Sequence, residues 1–118
     1  MYRFYNANSK GNFVNDCVIR AISTAEDRQW SDVYKELSYL AMNKGIMLDD
    51  VNFVDALLDS KYKRTCYNRG TIGKFAKANP RGNYLVTTDG HITCVIDSVI
   101  IDTWDCSNKE LHCAWEVK

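Results

Sequence analysis

The sequence predicts an α+β fold in which helices precede an antiparallel β-sheet meander. Three observations carry this expectation. Apolar residues recur at helical spacing up to Pro80, the period drops to two beyond it, and turn dipeptides separate the later runs.

Each element has a local cause. Asn15 or Asp16 can cap a first helix whose apolar positions Val18, Ile19, Ala21, Ile22 and Ala25 share one face, with Arg20, Thr24 and Glu26 turned outward. Cys17 then falls in its first turn. Ser31 or Asp32 opens a second helix with Val33, Tyr34, Leu37, Leu40 and Ala41 on one side and Gly45 as its stop. A third, capped by Asp49 or Asp50, carries Val51, Phe53, Val54, Leu57 and Leu58. Thr71 caps a short fourth holding Ile72, Phe75 and Ala76, which ends at Asn79-Pro80 because the residue before proline avoids helical angles.

After Pro80, runs 83–88, 91–96, 99–104 and 111–117 read as strands. Asp89-Gly90, Asp97-Ser98 and a loop near Ser107-Asn108 separate them, and such short turns imply antiparallel neighbours. Run 62–67 is an additional strand whose Lys and Arg content suits a sheet edge.

Composition bounds the function. The 118 residues suit one domain, 1–118. Fifteen basic residues balance fifteen acidic ones, so no net field recruits nucleic acid or an anionic membrane. Nothing near Met1 resembles a signal peptide and no apolar run approaches the roughly 20 residues of a bilayer span, so the chain reads as soluble and cytoplasmic. The five cysteines, Cys17, Cys66, Cys94, Cys106 and Cys113, are an odd number at irregular spacing, which suits reduced thiols better than a disulfide framework.

One thiol has a chemical context. If Asp97-Ser98 is a two-residue hairpin loop, Ile96 faces Val99, Thr93 faces Asp102, and His91 faces Trp104. His91, Thr93, Asp102 and Trp104 then share one sheet face, with Ile92, Cys94 and Ile96 on the core-facing side. Asp105 falls on the opposite face and is the second choice of partner for His91. A helix-start cysteine beside an imidazolium favours the thiolate, which lowers its pKa from about 8.5 toward roughly 3.5–7.5. Cys17 is thus a candidate nucleophile, His91 its acid/base and Asp102 the group that fixes the imidazole. The Cys17 N–H offers one oxyanion donor, and a side-chain amide of Asn12 or Asn15 could offer another, while Trp104 beside His91 could wall a substrate cleft.

The residues Asn15-Asp16-Cys17-Val18-Ile19-Arg20-Ala21-Ile22, Gly90-His91-Ile92-Thr93-Cys94-Val95-Ile96 and Val99-Ile100-Ile101-Asp102-Thr103-Trp104-Asp105 resemble the papain-like cysteine peptidase superfamily. There an N-terminal helix presents the cysteine, and a following antiparallel sheet presents histidine and then Asp or Asn. The pattern looks closest to small members such as bacteriocin-leader-processing peptidases and to papain-fold-like proteins of bacteriophages, for which the host-cell cytoplasm is the expected location. The chain departs from that pattern at Gly11, where these enzymes commonly place glutamine, and no glycine follows Cys17. The resemblance implies a Cys17–His91–Asp102 hydrolase of a peptide, isopeptide or related amide bond, acting on a protein or peptide without a cofactor or metal, as a monomer by default.

Bland readings compete. A helix-start cysteine can be a small buried hydrophobe, and Cys66, Cys94, Cys106 and Cys113 read as core or loop thiols. Zinc on Cys94, Cys106, His112 and Cys113 is disfavoured because no close cysteine pair exists and adjacent strand residues point to opposite faces. A papain-like scaffold that binds a protein partner or small ligand without turnover is the alternative function. Specificity in either case falls to loops 5–14, 67–70 and 105–111.

Overall fold

In the computed structural model, residues 1–66 and 70–117 are described, and they form four helices and a six-stranded mixed sheet. Helix α1 (Cys17–Glu26) buries Val18, Ile19, Ala21, Ile22 and Ala25, as its spacing requires, and ends at left-handed Asp27. Helix α2 (Trp30–Lys44) begins just before the expected cap because Gln29 already adopts the extended cap conformation. Gly45 ends it at φ 69°, a conformation that costs glycine little. In α3 (Val51–Asp59) the Asp50 carboxylate accepts from the Phe53 N–H, and in α4 (Ile72–Ala78) the Thr71 hydroxyl accepts from the Lys74 N–H.

The strands are β1 (Tyr2–Phe4), β2 (Arg64–Cys66), β3 (Asn83–Thr88), β4 (His91–Ile96), β5 (Val99–Asp102) and β6 (Cys113–Glu116), in the spatial order β1-β5-β4-β3-β6-β2. The β4–β5 hairpin has the expected register, with Ile96 opposite Val99 and Cys94 opposite Ile101. Asp97 and Ser98 both take positive φ, 48° and 70°, the turn that matches the twist of paired strands.

Two features depart from a simple meander. Strand β6 does not follow β5 but crosses the sheet to pair antiparallel with β3. Strand β1 adds to β5 in parallel, a three-residue pairing too short and too distant in sequence to show as a pattern. Run 99–104 is also paired only to Asp102, and run 111–117 only over Cys113–Glu116. Strand β2 does sit at the sheet edge; Tyr67 of the expected run lies outside the described residues.

Both faces of the sheet are packed, not one. Helices α1, α2 and α3 cover Leu85, Ile92, Cys94 and Trp115, while Ile72, Phe75 and Ala76 of α4 cover Val86, Val95 and Ile100 with Cys106 and Leu111. This explains why the strands read as nearly continuous apolar runs. Each fully buried Leu or Ile here contributes roughly 1.5–3 kcal/mol. Helix α4 approaches the 105–111 loop closely, its Gly73 N–H donating to the Ser107 carbonyl at 2.8 Å.

A disulfide joins Cys66 to Cys113, in contrast to the expectation of five reduced thiols. These residues are direct partners across β2 and β6, a juxtaposition that a separation of 47 residues hides in the sequence. Cys17, Cys94 and Cys106 are free. Among the described residues no helix is long and apolar enough to cross a membrane.

Candidate functional site

The tight turn at Gly90 places His91 at the first position of β4, and β5 runs back beside it to finish at Asp102. One step beyond the paired positions, Thr93 lies opposite Asp102, so Asp102 and His91 are diagonal neighbours on one side. The result is a His91 Nε2 to Asp102 Oδ2 contact of 2.7 Å between two largely buried side chains. Asp105, the second choice, is exposed, and its carboxylate accepts from the Ser107 N–H at 3.0 Å instead.

Asp102 is held from every side. Its Oδ1 accepts from Arg20 Nη1 and from the Thr103 N–H, each at 2.7 Å. Burial raises the pKa of this carboxyl, but the bond and charge of His91 and the Thr103 N–H outweigh it and carry the value down to about 2. The buried Thr93 hydroxyl beside it also favours that charge.

Cys17 is the first residue of α1, half-buried, where the helix dipole favours an anion. Asp16 precedes it as the cap residue, yet its carboxylate turns away from the helix amides toward Arg20, Asn8 and Trp30. Burial pushes the Cys17 thiol pKa up. Contacts with the His91 ring and the Ile92 N–H, with the charges of His91 and Arg20, more than reverse this, so the pKa falls below that of an ordinary thiol. On His91 burial acts to lower the pKa, but bonds to Asp102, Cys106 and Cys17 raise it to about 11. With Nε2 committed to Asp102, Nδ1 is the nitrogen left to serve a thiol.

Trp104 packs on the imidazole with ring centroids 4.8 Å apart and is 39% exposed, which places an aromatic wall at the site's edge. Asn12 and Asn15 are both exposed, and the Asn12 backbone carbonyl accepts from Asn6 Nδ2.

Two participants escape a reading of the sequence. Arg20, expected to face outward, has a side chain only 12% exposed and bridges Asp16 and Asp102. Its one sequence signal is the i,i+4 pairing with Asp16. Cys106 is the buried core thiol expected of it, but its nearness to the site is new: its sulfur, a His91 ring nitrogen and an Asp102 oxygen lie within 4.8 Å of one another. Those three are close enough to hold a metal ion, but the Arg20 guanidinium on Asp102 already supplies a positive charge there. The zinc set weighed from the sequence does not assemble: Cys113 is in the disulfide, His112 is exposed, and the Cys94 thiol donates to Asn83 Oδ1 at 3.7 Å.

A hollow of about 680 Å³ lies between the N-terminal segment and the α1–α2 junction, lined in part by Arg3, Asn6, Gln29 and Trp30. It does not include Cys17 or His91, and it meets the small space behind Cys17 at Tyr5, Thr24 and Ile101.

No family model, no curated protein and no solved structure matches this chain.

Proposed function

We propose that this protein is a cysteine-dependent hydrolase of a peptide, isopeptide or related amide bond. The observation that carries the reading is the convergence of a helix-start thiol, an imidazole and a buried carboxylate in the order a thiol nucleophile requires. The ordering of helix, strand and next strand also resembles the papain-like arrangement.

The chemistry follows from the charges. Cys17 and His91 favour thiolate and imidazolium, and the sulfur adds to the carbonyl carbon while the Cys17 N–H holds the developing oxyanion. His91 gives its proton to the departing amine nitrogen as the C–N bond breaks, leaving a thioester. Water then adds to that thioester as His91 takes its proton, the C–S bond breaks, and a carboxylic acid leaves with the thiolate restored. Asp102 fixes the ring throughout and stabilises its cationic form.

A second reading, a papain-like scaffold that sequesters a protein or small ligand, draws on the hollow that excludes Cys17 and His91. Iodoacetamide alkylation of the native chain, followed thiol by thiol by mass spectrometry between pH 5 and 9, separates the two. The hydrolase reading expects Cys17 to react first and already below pH 8; equal or slower reaction than Cys94 and Cys106 defeats it.

A further inference from the structure

We infer that Arg20 is a positioning residue of the thiol site, tying the carboxylate that orients His91 to the helix that carries Cys17. The inference rests on the hydrolase reading for its purpose and on geometry for its substance. Arg20 stands one helical turn after Cys17, so the two side chains leave neighbouring positions on α1. Its Nε donates to Asp16 Oδ1 and its Nη1 to Asp102 Oδ1, each at 2.7 Å. Asp16 is itself anchored, its Oδ2 accepting from Trp30 Nε1 at 3.0 Å and from Asn8 Nδ2 at 3.3 Å.

This chain of contacts fixes the guanidinium from behind. A planar guanidinium holds two separate donor nitrogens in a fixed plane, Nε for Asp16 and Nη1 for Asp102, whereas a lysine ammonium offers its donors from one freely rotating nitrogen. Asp102 therefore has one oxygen held by α1 and the other aimed at Nε2 of His91, and rotation of the carboxylate would break a contact at either end. A stability role explains this poorly. Buried ion pairs gain little over well-packed apolar groups of the same volume, because removing both charges from water costs about as much as their attraction returns. What an apolar substitute cannot reproduce is direction. The same guanidinium adds a positive charge near the Cys17 sulfur.

The test uses the full chain and two readouts. The first is the pH profile of Cys17 alkylation in the parent, Arg20→Gln, Arg20→Lys and Asp16→Asn, with circular dichroism to establish folding. Arg20→Gln is expected to slow Cys17 roughly 10–100-fold near pH 6 and to move its midpoint upward, as displaced reacting groups generally do. Arg20→Lys restores part of the loss, and Asp16→Asn, which frees the anchor but keeps Arg20 on Asp102, shows a smaller shift in the same direction. The second readout is the His91 Nε2 proton, expected far downfield by NMR in the parent and shifted upfield in Arg20→Gln. Profiles and proton unchanged in folded Arg20→Gln overturn the inference, and should that variant not fold, an unchanged profile and proton in Asp16→Asn do so. Slow Cys17 alkylation in the parent defeats the hydrolase reading alone, and the proton then decides the role of Arg20.

Discussion

Cys17 and Cys94 lie on elements that pack against each other, α1 and β4, yet their surroundings drive them in opposite directions. Burial raises both. At Cys94 the aliphatic wall of the first cluster and the Asp102 charge add to the effect, and the pKa climbs to about 12. At Cys17 an imidazole, a backbone N–H and a guanidinium override burial and the value falls. Enclosure by itself makes a thiol inert; it becomes a nucleophile only where fixed positive groups replace the water it loses.

The largest expected effect comes from removing the activated sulfur. On the proposed hydrolase reading, Cys17→Ala should abolish amide hydrolysis while thermal unfolding stays within a few degrees, about what a loss of roughly 1 kcal/mol would give a domain of this size. A collapse of the melting temperature with no activity in the parent chain would make Cys17 another Cys94.

Next in size is the loss of the imidazole. His91→Gln should lower turnover by roughly 10²–10⁴-fold, the usual share of a general acid–base group, and bring the alkylation of Cys17 down toward that of Cys94. At pH 7 a thiol of pKa about 12 is ionised to roughly one part in 10⁵, so Cys94 marks the floor of the scale.

A smaller effect is expected in stability against pH. The Asp102 pKa is depressed from 3.8 to about 2, so its contribution is present above pH 3.8 and is lost as pH falls toward 2. The His91 pKa is raised from 6.5 to about 11, so its contribution is full below pH 6.5 and is lost as pH rises toward 11. Urea midpoints should therefore be highest between about pH 4 and 6.5, and His91→Gln should flatten the alkaline side; an unchanged alkaline slope would contradict the coupling.

The smallest effect on chemistry belongs to the thiols outside the site. Cys94→Ala should cost about 1–2 kcal/mol through lost packing and leave Cys17 reactivity unaltered. Reducing Cys66–Cys113 should cost about 2–4 kcal/mol, again without touching the alkylation profile.

The sequence made legible whatever local chemistry decides. Strands β3 and β4 match their expected limits because alternation ends at turn residues, and Thr71 and Asp50 cap helices as their side chains allow. His91 and Asp102 meet because a two-residue turn fixes parity. What stayed hidden depends on distant partners. Strand β1 needs β5 beside it, β6 needs β3, and Arg20 reads as a solvated charge until Asp102, 82 positions later, arrives next to it. Cys106 is equally silent, because the loop that carries it has no pattern and is placed by packing under α4.

That placement ties α4 to the loop beside His91. A methyl group at Gly73 would come within 2.9 Å of the Ser107 carbonyl oxygen, which neither backbone can absorb without moving. Ser107 adjoins Cys106, whose sulfur lies within 4.8 Å of a His91 ring nitrogen and an Asp102 oxygen, so a single loop residue separates the α4 contact from the surroundings of the imidazole. Only a residue without a side chain at position 73 lets α4 lie this close to the 105–111 loop, so the constraint at the helix is set by the loop backbone it rests on.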